Sequence, residues 1–289
     1  MHRISVVLSA IFLAVSAPMT AAQTVQAVPS AGLDERAPAL YNLLDAVGIY
    51  DVLAMAAVEN QQDALSLEAD MFPGQGGAAW SANATRIYSA DRIVALFEDA
   101  LGDAPLAPVE ISTLATFFES ELGQRIVAGE LAARRAFMDV DAEEVAQAAL
   151  VAAIERGEPR LAQLEEFNTA IDLVNRNVTI ALNGAFRFYQ GLSDGGAFDV
   201  EVPDELMLAE VAGREAELRR AALEWLFSYQ LLAYSELSDD ELETYIALVS
   251  TPAGQTLNRV MFDAFASVFA TLNFELGEAA AGFIAADDV

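Results

Sequence analysis

The sequence lacks most of the side chains that enzymes use as nucleophiles, general bases or metal ligands. It contains no Cys and no Lys, and its single His is His2, which lies in a segment that we interpret as a cleaved signal peptide. Ser-His-Asp and Cys-His catalysis, His- or Cys-ligated metals, Schiff-base chemistry and Lys-containing phosphate loops all need residues that the mature chain does not have. We therefore expect no catalytic residue, no metal and no cofactor.

Carboxylates are the remaining side-chain groups that could act in catalysis or bind a metal. The densest group is the stretch from Asp139 to Glu144, which has four acidic side chains. Oxygen ligands suit Ca²⁺ or Mg²⁺, but this stretch lacks the central Gly and the distal Glu of an EF-hand loop. Acidic residues are favourable at the start of a helix, and we interpret the group in that way.

Glu224 is the other candidate for a functional acid, because it is the one charged residue between Ala221 and Tyr234. An apolar surrounding would raise the pKa of its carboxyl group, whereas a nearby Arg would pair with it. Two acids that face a cleft are enough for hydrolysis of a glycosidic bond, so a carboxylate-dependent hydrolase stays an alternative. The sequence does not single out such a pair.

The overall charge restricts the partners. The chain has 44 acidic and 15 basic side chains, a formal net charge of −29, and such a surface repels nucleic acid and phosphate-rich membranes. We expect no nucleic-acid partner. An unknown protein partner or self-association is expected, and an apolar small molecule or lipid is an alternative ligand.

The N-terminal residues have the features of a secretory signal. Arg3 is followed by an apolar run over residues 4–17, and small residues precede a cleavage point after Ala22. We expect the mature protein to begin at Gln23, to reside in the periplasm and to have no later segment that spans a membrane, because the uncharged runs are too short.

The remaining sequence predicts an all-α fold. Ala, Leu, Glu and Arg are abundant and favour helices, and apolar residues recur at helical spacing without a period-two run. Helices are predicted over residues 38–47, 49–71, 80–101, 108–138, 141–156, 160–192, 204–236, 238–250 and 251–285.

An internal repeat organises these helices. Residues 106–126 align without a gap to residues 237–257, with the same apolar stripe and with identical Leu, Glu, Thr, Gly and Gln at five positions. We interpret the chain as a helical bundle made of two similar halves. The expected parts are a signal peptide (1–22), a disordered lead (23–37), a first helical repeat (38–140), a linking helix (141–159) and a second helical repeat (160–289).

The repeated motif predicts a helix, a bend and a second helix. Its side chains have three expected roles: a hydroxyl caps the second helix, Pro starts that helix, and an interior Gly marks a close crossing where a larger side chain would clash. The Gln that follows is expected to bond an exposed helix end across the crossing. These residues are Ser120, Gly123 and Gln124 in the first copy, and Ser250 or Thr251, Pro252, Gly254 and Gln255 in the second.

This motif resembles that of domain-of-unknown-function family 2059. The second copy, with Ser250-Thr251-Pro252-Ala253-Gly254-Gln255, fits better, whereas the first has Glu121 where Pro is usual. The resemblance implies a small, exported, helical bacterial protein, and it assigns no reaction and no site residue.

Three functions are consistent with these observations. The leading hypothesis is a non-catalytic helical interaction or scaffold protein of the periplasm. A carrier of an apolar small molecule or lipid is the first alternative, and the hydrolase is the second. The C-terminal helix has a wide apolar face, so part of residues 260–285 is expected to form an interaction surface with Phe283 and Ile284 as exposed anchors.

Overall fold

The computed structural model describes residues 32–102, 104, 106–198, 200 and 202–284. These residues fold into helices without a strand, as the sequence predicts. The signal peptide (1–22) and the expected start at Gln23 lie outside the described residues. The helices are α1 (Leu33–Arg36), α2 (Pro38–Ala46), α3 (Ile49–Met71), α4 (Gly77–Ile87), α5 (Ala90–Leu101), α6 (Pro108–Phe118), α7 (Glu121–Ala136), α8 (Val140–Arg156), α9 (Arg160–Ala170), α10 (Leu173–Asp194), α11 (Asp204–Ala212), α12 (Glu215–Ala233), α13 (Asp239–Ser250) and α14 (Pro252–Ile284).

Several predicted helices are divided by short breaks. The range 80–101 is interrupted before α5, where Ser89 is extended, and the range 160–192 is interrupted before α10, where Asp172 is left-handed with φ of 54°. The range 204–236 is interrupted at Gly213 and Arg214. Hydrophobic periodicity does not detect a change of helix direction that preserves the apolar face, so the sequence did not reveal these breaks.

Among the described residues, the most extensive contact between two helices is that of α10 with α14. The two backbones approach so closely that a Cβ atom on Gly191 would lie 2.0 Å from the Phe274 carbonyl oxygen, and one on Gly277 would lie 2.2 Å from the Phe188 carbonyl oxygen. Only glycine fits at such a crossing. Helix α14 also packs against α5.

Helices of the first predicted half pack against helices of the second. Helix α7 packs against α12, and α14 packs against α4 and α5. Among the described residues, buried side chains of both predicted halves, from α1 to α14, belong to one apolar cluster, to which α8 and α11 contribute no residue.

The expected disordered lead is wrong for its last part. Residues 33–36 form α1, and Leu33 is fully buried. The Leu33 N–H donates to Glu98 Oε2 at 2.9 Å. A buried leucine together with an anchored backbone orders this segment, and neither interaction is visible in the local sequence.

The C-terminal anchors are also not as expected. Phe283 is partly buried, stacked on the ring of Phe72 with centroids 5.2 Å apart and edge-to-face with Trp80 at 5.7 Å. Ile284 is partly buried against the same core. These side chains therefore pack within the protein instead of standing exposed, because α14 continues across the end of α3 and the start of α4.

Helix α14 is long and apolar enough to cross a membrane, and so, taken together, are α2 and α3, although a bend of 66° separates them. More than half of the apolar stretch of α14 is buried inside the protein. The core helix of a globular protein passes the same criteria, so length and composition are weak evidence here, and the expectation that no segment spans a membrane stays a prediction.

Candidate functional site

The repeated motif forms the same bend twice. Ser120 Oγ accepts from the Gly123 N–H at 3.2 Å and donates to the Phe117 carbonyl at 2.6 Å. Thr251 Oγ1, which is the aligned residue, accepts from the Gly254 N–H at 3.1 Å and donates to the Leu248 carbonyl at 2.6 Å. Each hydroxyl therefore closes the end of one helix and caps the start of the next.

The choice between Ser250 and Thr251 is thereby decided. Ser250 is the last residue of α13, and its hydroxyl donates to the Ile246 carbonyl at 2.7 Å. Pro252 is the first residue of α14, where its missing N–H costs nothing. Thr251 is the cap because its backbone is extended there.

Both motif glycines lie at a close approach. A Cβ atom on Gly123 would lie 2.1 Å from the Phe117 carbonyl oxygen, and one on Gly254 would lie 2.4 Å from the Leu248 carbonyl oxygen. The crossing is between the two helices of the motif itself.

The two glutamines differ. Gln255 Nε2 donates to the Ala170 carbonyl at the end of α9 (2.6 Å) and to the Val249 carbonyl (2.9 Å), which is the predicted bond to a helix end. Gln124 is exposed, and the bond predicted for it is not among those of the described residues.

A cavity of about 170 Å³ lies between the two motif copies. Leu114 and Phe118 of α6 and Val249 and Gly254 of the second copy contribute to its wall. The rest comes from the α2–α3 and α9–α10 breaks, from α7, from α12 and from α14. Each lining residue is buried or partly buried, and most are apolar or aromatic.

One carboxylate reaches this interior wall. Glu130 Oε1 accepts from the Tyr234 hydroxyl at 2.7 Å and from the Tyr245 hydroxyl at 3.2 Å, and the Tyr229 hydroxyl donates to its backbone carbonyl at 3.0 Å. Loss of solvent raises the pKa of Glu130 above its ordinary range, although both hydroxyls act in the opposite direction. Burial raises the pKa of all three tyrosines, and the charge of Glu130 adds to the effect.

An arginine one turn along α7 also lines the cavity. Arg134 forms a buried ion pair with Glu59, and its guanidinium lies 5.8 Å from the centre of the Trp225 ring. Its Nε has no hydrogen-bond partner among the described residues. Asp63, one turn beyond Glu59, has a pKa raised to about 6, by burial first and by the charge of Glu59 second, while Arg134 lowers it.

A second concavity lies on the surface between α8, α9 and α12. This groove has a volume of about 690 Å³, within the range of typical ligand sites. Its lining is mainly apolar, and its residues are Leu150, Val151, Ile154, Gly157, Glu158, Pro159, Leu161, Ala162, Glu165, Arg220, Leu223, Glu224 and Phe227.

The acidic residues noted in the sequence lie in or near this region. Glu224 is exposed and belongs to the wall of the groove. The stretch from Asp139 to Glu144 starts α8, where Asp139 Oδ1 accepts from the Asp141 N–H at 3.0 Å. This arrangement agrees with the interpretation as an acidic helix start. Among the described residues no cluster of three or more potential ligands could hold a metal ion.

One segment of the chain is similar to a known family of proteins. Residues 90–151 match a family model described as "Uncharacterized protein conserved in bacteria (DUF2059)". We refer to residues 90–151 as the DUF2059 segment because of this similarity, which covers less than half of the chain. The DUF2059 segment runs from α5 into α8 and contains the first copy of the motif, not the second copy, which had looked the better fit. No curated protein matches the chain, and no solved structure matches it.

Sequence reasoning did not find Glu130 and Arg134, which both lie in the DUF2059 segment. The repeat contained a signal for them. If the register of the two copies is continued along the following helices, Glu130 aligns with Met261 and Arg134 with Phe265. All four residues line the same cavity, so polar residues stand in the first copy where the second has apolar ones.

Proposed function

We propose that this protein is an exported, non-catalytic binding protein whose surface groove receives an amphipathic helix of a partner protein. The observation that carries the proposal is the groove of about 690 Å³ between α8, α9 and α12. Its apolar wall faces solvent at Val151, which is 55% exposed, and at Ile154, which is 60% exposed.

The shape and lining of the groove favour a helical occupant. Two helices, α8 and α12, pack side by side, and apolar residues of both line the groove. An amphipathic helix binds such a surface by placing side chains one turn apart between the two ridges. Covering exposed Val, Ile and Leu side chains supplies the free energy of binding.

Charge favours a partner with basic residues at the edge of its apolar face. The wall includes Glu158, Glu165 and Glu224 against the single positive charge of Arg220, and the whole chain carries −29. Electrostatic complementarity speeds association and selects the partner. The same charge disfavours an anionic lipid surface, which makes a protein helix the better occupant.

The helices on either side of α8 supply a further argument for its role. We infer that α2–α7 and α9–α14 are two copies of one six-helix unit, because helices at the same place in the order pack against corresponding neighbours. Helix α2 packs on α6 as α9 packs on α13, α3 packs on α4 and α5 as α10 packs on α11 and α12, and α7 packs on α12 as α14 packs on α5. Helix α8 has no counterpart, so its exposed apolar side serves neither unit.

The test uses a synthetic amphipathic Leu/Lys helix of ~18 residues, or about five turns, with a fluorescent label. Anisotropy titrations at physiological ionic strength compare the wild type with Ile154→Gln. We expect saturable binding by the wild type and about tenfold weaker binding by the variant, since a central apolar contact is lost.

Two controls separate groove binding from attraction to an acidic surface. Val145→Gln changes a 70% exposed residue of α8 that is not part of the groove, and it should bind as the wild type does. A scrambled peptide of the same composition should bind weakly. Equal binding of both peptides, or equal loss in both variants, would contradict the proposal, as would binding of phosphatidylcholine vesicles in preference to the peptide.

A further inference from the structure

We propose that the interior cavity between the two motif copies binds a small organic amine with an apolar body, and that Glu130 receives its ammonium group. The cavity shares no lining residue with the groove between α8, α9 and α12. The inference therefore does not depend on the proposed binding of a partner helix. It narrows the carrier hypothesis to one chemical class of ligand.

The size of the cavity limits the ligand. Its volume is about 170 Å³, and an apolar cavity of about 150 Å³ in another protein holds benzene. A ligand of about eight non-hydrogen atoms, such as one ring with a short substituent, has the corresponding volume. A phospholipid or a long acyl chain is too large.

The wall of the cavity suits an aromatic or cationic guest. Trp225 and Tyr229 stack with ring centroids 4.9 Å apart, and Phe167 lies 5.3 Å from Tyr245 and 5.9 Å from Tyr234. All of these rings line the cavity. Aromatic faces attract ammonium groups through their quadrupole, most strongly where water is excluded.

The charge at the wall has the sign that an amine requires. No ion pair involves Glu130 within the described part of the chain, and its hydrogen bonds there reach only Oε1. Arg134 is already paired with Glu59, so its charge is compensated. Glu130 is partly buried. A carboxylate that is partly withdrawn from water and lacks a cation is costly, and a bound ammonium group would supply the missing charge.

The comparison of the two motif copies points to the same residue. The cavity wall has Leu114 where the second copy has Tyr245, and Phe118 where it has Val249. Those pairs are apolar or aromatic on both sides, whereas Glu130 aligns with Met261 and Arg134 aligns with Phe265. Arg134 is paired with Glu59, which leaves Glu130 as the charged residue of the wall without an oppositely charged partner among the described residues. If the positions of Glu130 and Met261 only packed the core, an apolar residue would be suitable at both of them, as in other well-packed interiors.

The test compares three probes that share one ring and differ in charge: benzylamine, benzyl alcohol and benzoate. Isothermal titration calorimetry with the full mature chain at physiological salt measures binding of each. We expect benzylamine to bind about tenfold more tightly than benzyl alcohol, because it alone forms a desolvated ion pair. We expect no binding of benzoate.

Two substitutions connect the binding to Glu130. Glu130→Met copies Met261 of the other motif and should abolish the preference for benzylamine while benzyl alcohol still binds. Glu130→Gln removes the charge at nearly the same side-chain size and should also abolish that preference, which keeps the test valid if Glu130→Met unfolds. Glu217→Gln removes an exposed acid of α12 that is not part of the cavity wall and should change nothing.

Each remaining outcome counts against the proposal. Tighter binding of benzoate would show that Arg134 and its unpartnered Nε select an anion. Equal binding of all three probes would show an apolar cavity without charge selection. Absence of binding by benzylamine up to its solubility limit, in protein with a wild-type circular dichroism spectrum, would show that the cavity takes no amine of this size.

Discussion

The motif glycines show how one missing methyl group determines a bend. Gly254 has the Leu248 carbonyl oxygen 2.4 Å from the place of a Cβ atom, and that atom belongs to backbone that cannot rotate away. Gly254→Ala should therefore lower the free energy of unfolding by about 2 kcal/mol, since overpacking outweighs the better helix propensity of Ala. Urea denaturation followed by circular dichroism measures the difference.

The control for this prediction lies in the same helix. Gly282 has open space at its Cβ position, so Gly282→Ala should leave stability unchanged or raise it by less than about 1 kcal/mol. Similar losses in both variants would mean that the close approach at Gly254 is not what the bend requires.

Asp63 makes the stability of the fold depend on pH. Its pKa is raised to about 6, first by burial and then by Glu59, so the folded protein holds this proton more tightly than the unfolded chain. The carboxyl group therefore begins to destabilise the fold as the pH rises above the unfolded value of about 4, and the whole cost is present above about pH 6.

Asp63→Asn should remove this cost. We expect the variant to be more stable than the wild type by about 1 kcal/mol at neutral pH, a figure reduced for the partial exposure of the group, and equally stable near pH 4. Asp70→Asn, at an exposed position of the same helix, is the matched control. A constant difference across this pH range would show that Asp63 does not titrate as proposed.

At the scale of elements, the end of α14 belongs to the core. Phe283 stacks on Phe72 and lies edge-to-face on Trp80. Phe283→Ala should lower the free energy of unfolding by about 2 kcal/mol, less than for a fully buried ring, and leave the oligomeric state unchanged. Phe198→Ala, which truncates an exposed ring, should have a smaller effect.

Sedimentation velocity of the same variants tests the interaction surface expected at Phe283 and Ile284. If the wild type is an oligomer and Phe283→Ala is a monomer of wild-type stability, the ring serves an interface and its packing on Phe72 is incidental. If Phe283→Ala has the same oligomeric state as the wild type, any partner surface on α14 does not include the Phe283 ring.

The whole molecule carries the prediction of export. Expressed with its own N-terminus in a bacterium that has a periplasm, the protein should be recovered from that compartment with an intact mass that starts at Gln23. Ala22→Trp should block or move the cleavage, because the peptidase needs a small residue there. Recovery of the full chain from the cytoplasm would contradict both the signal peptide and the periplasmic role.

The sequence by itself determined the helical fold class, the bend at each motif copy and the roles of Gly254, Pro252 and Gln255. These features depend on neighbours within a few residues or on the 3.6-residue period, both of which can be read along the chain. The absence of His, Cys and Lys beyond position 2 was equally a property of the sequence.

Only the tertiary structure decided what lies across the chain from each residue. The interior cavity joins Glu130 to Tyr234 and Tyr245, more than 100 positions away, and the ordered Leu33 depends on Glu98. The crossing at Gly191 and Gly277 likewise pairs positions that no local pattern relates. Burial and desolvation arise from such distant neighbours, so a single sequence contains the residues of a cavity without the information that they meet.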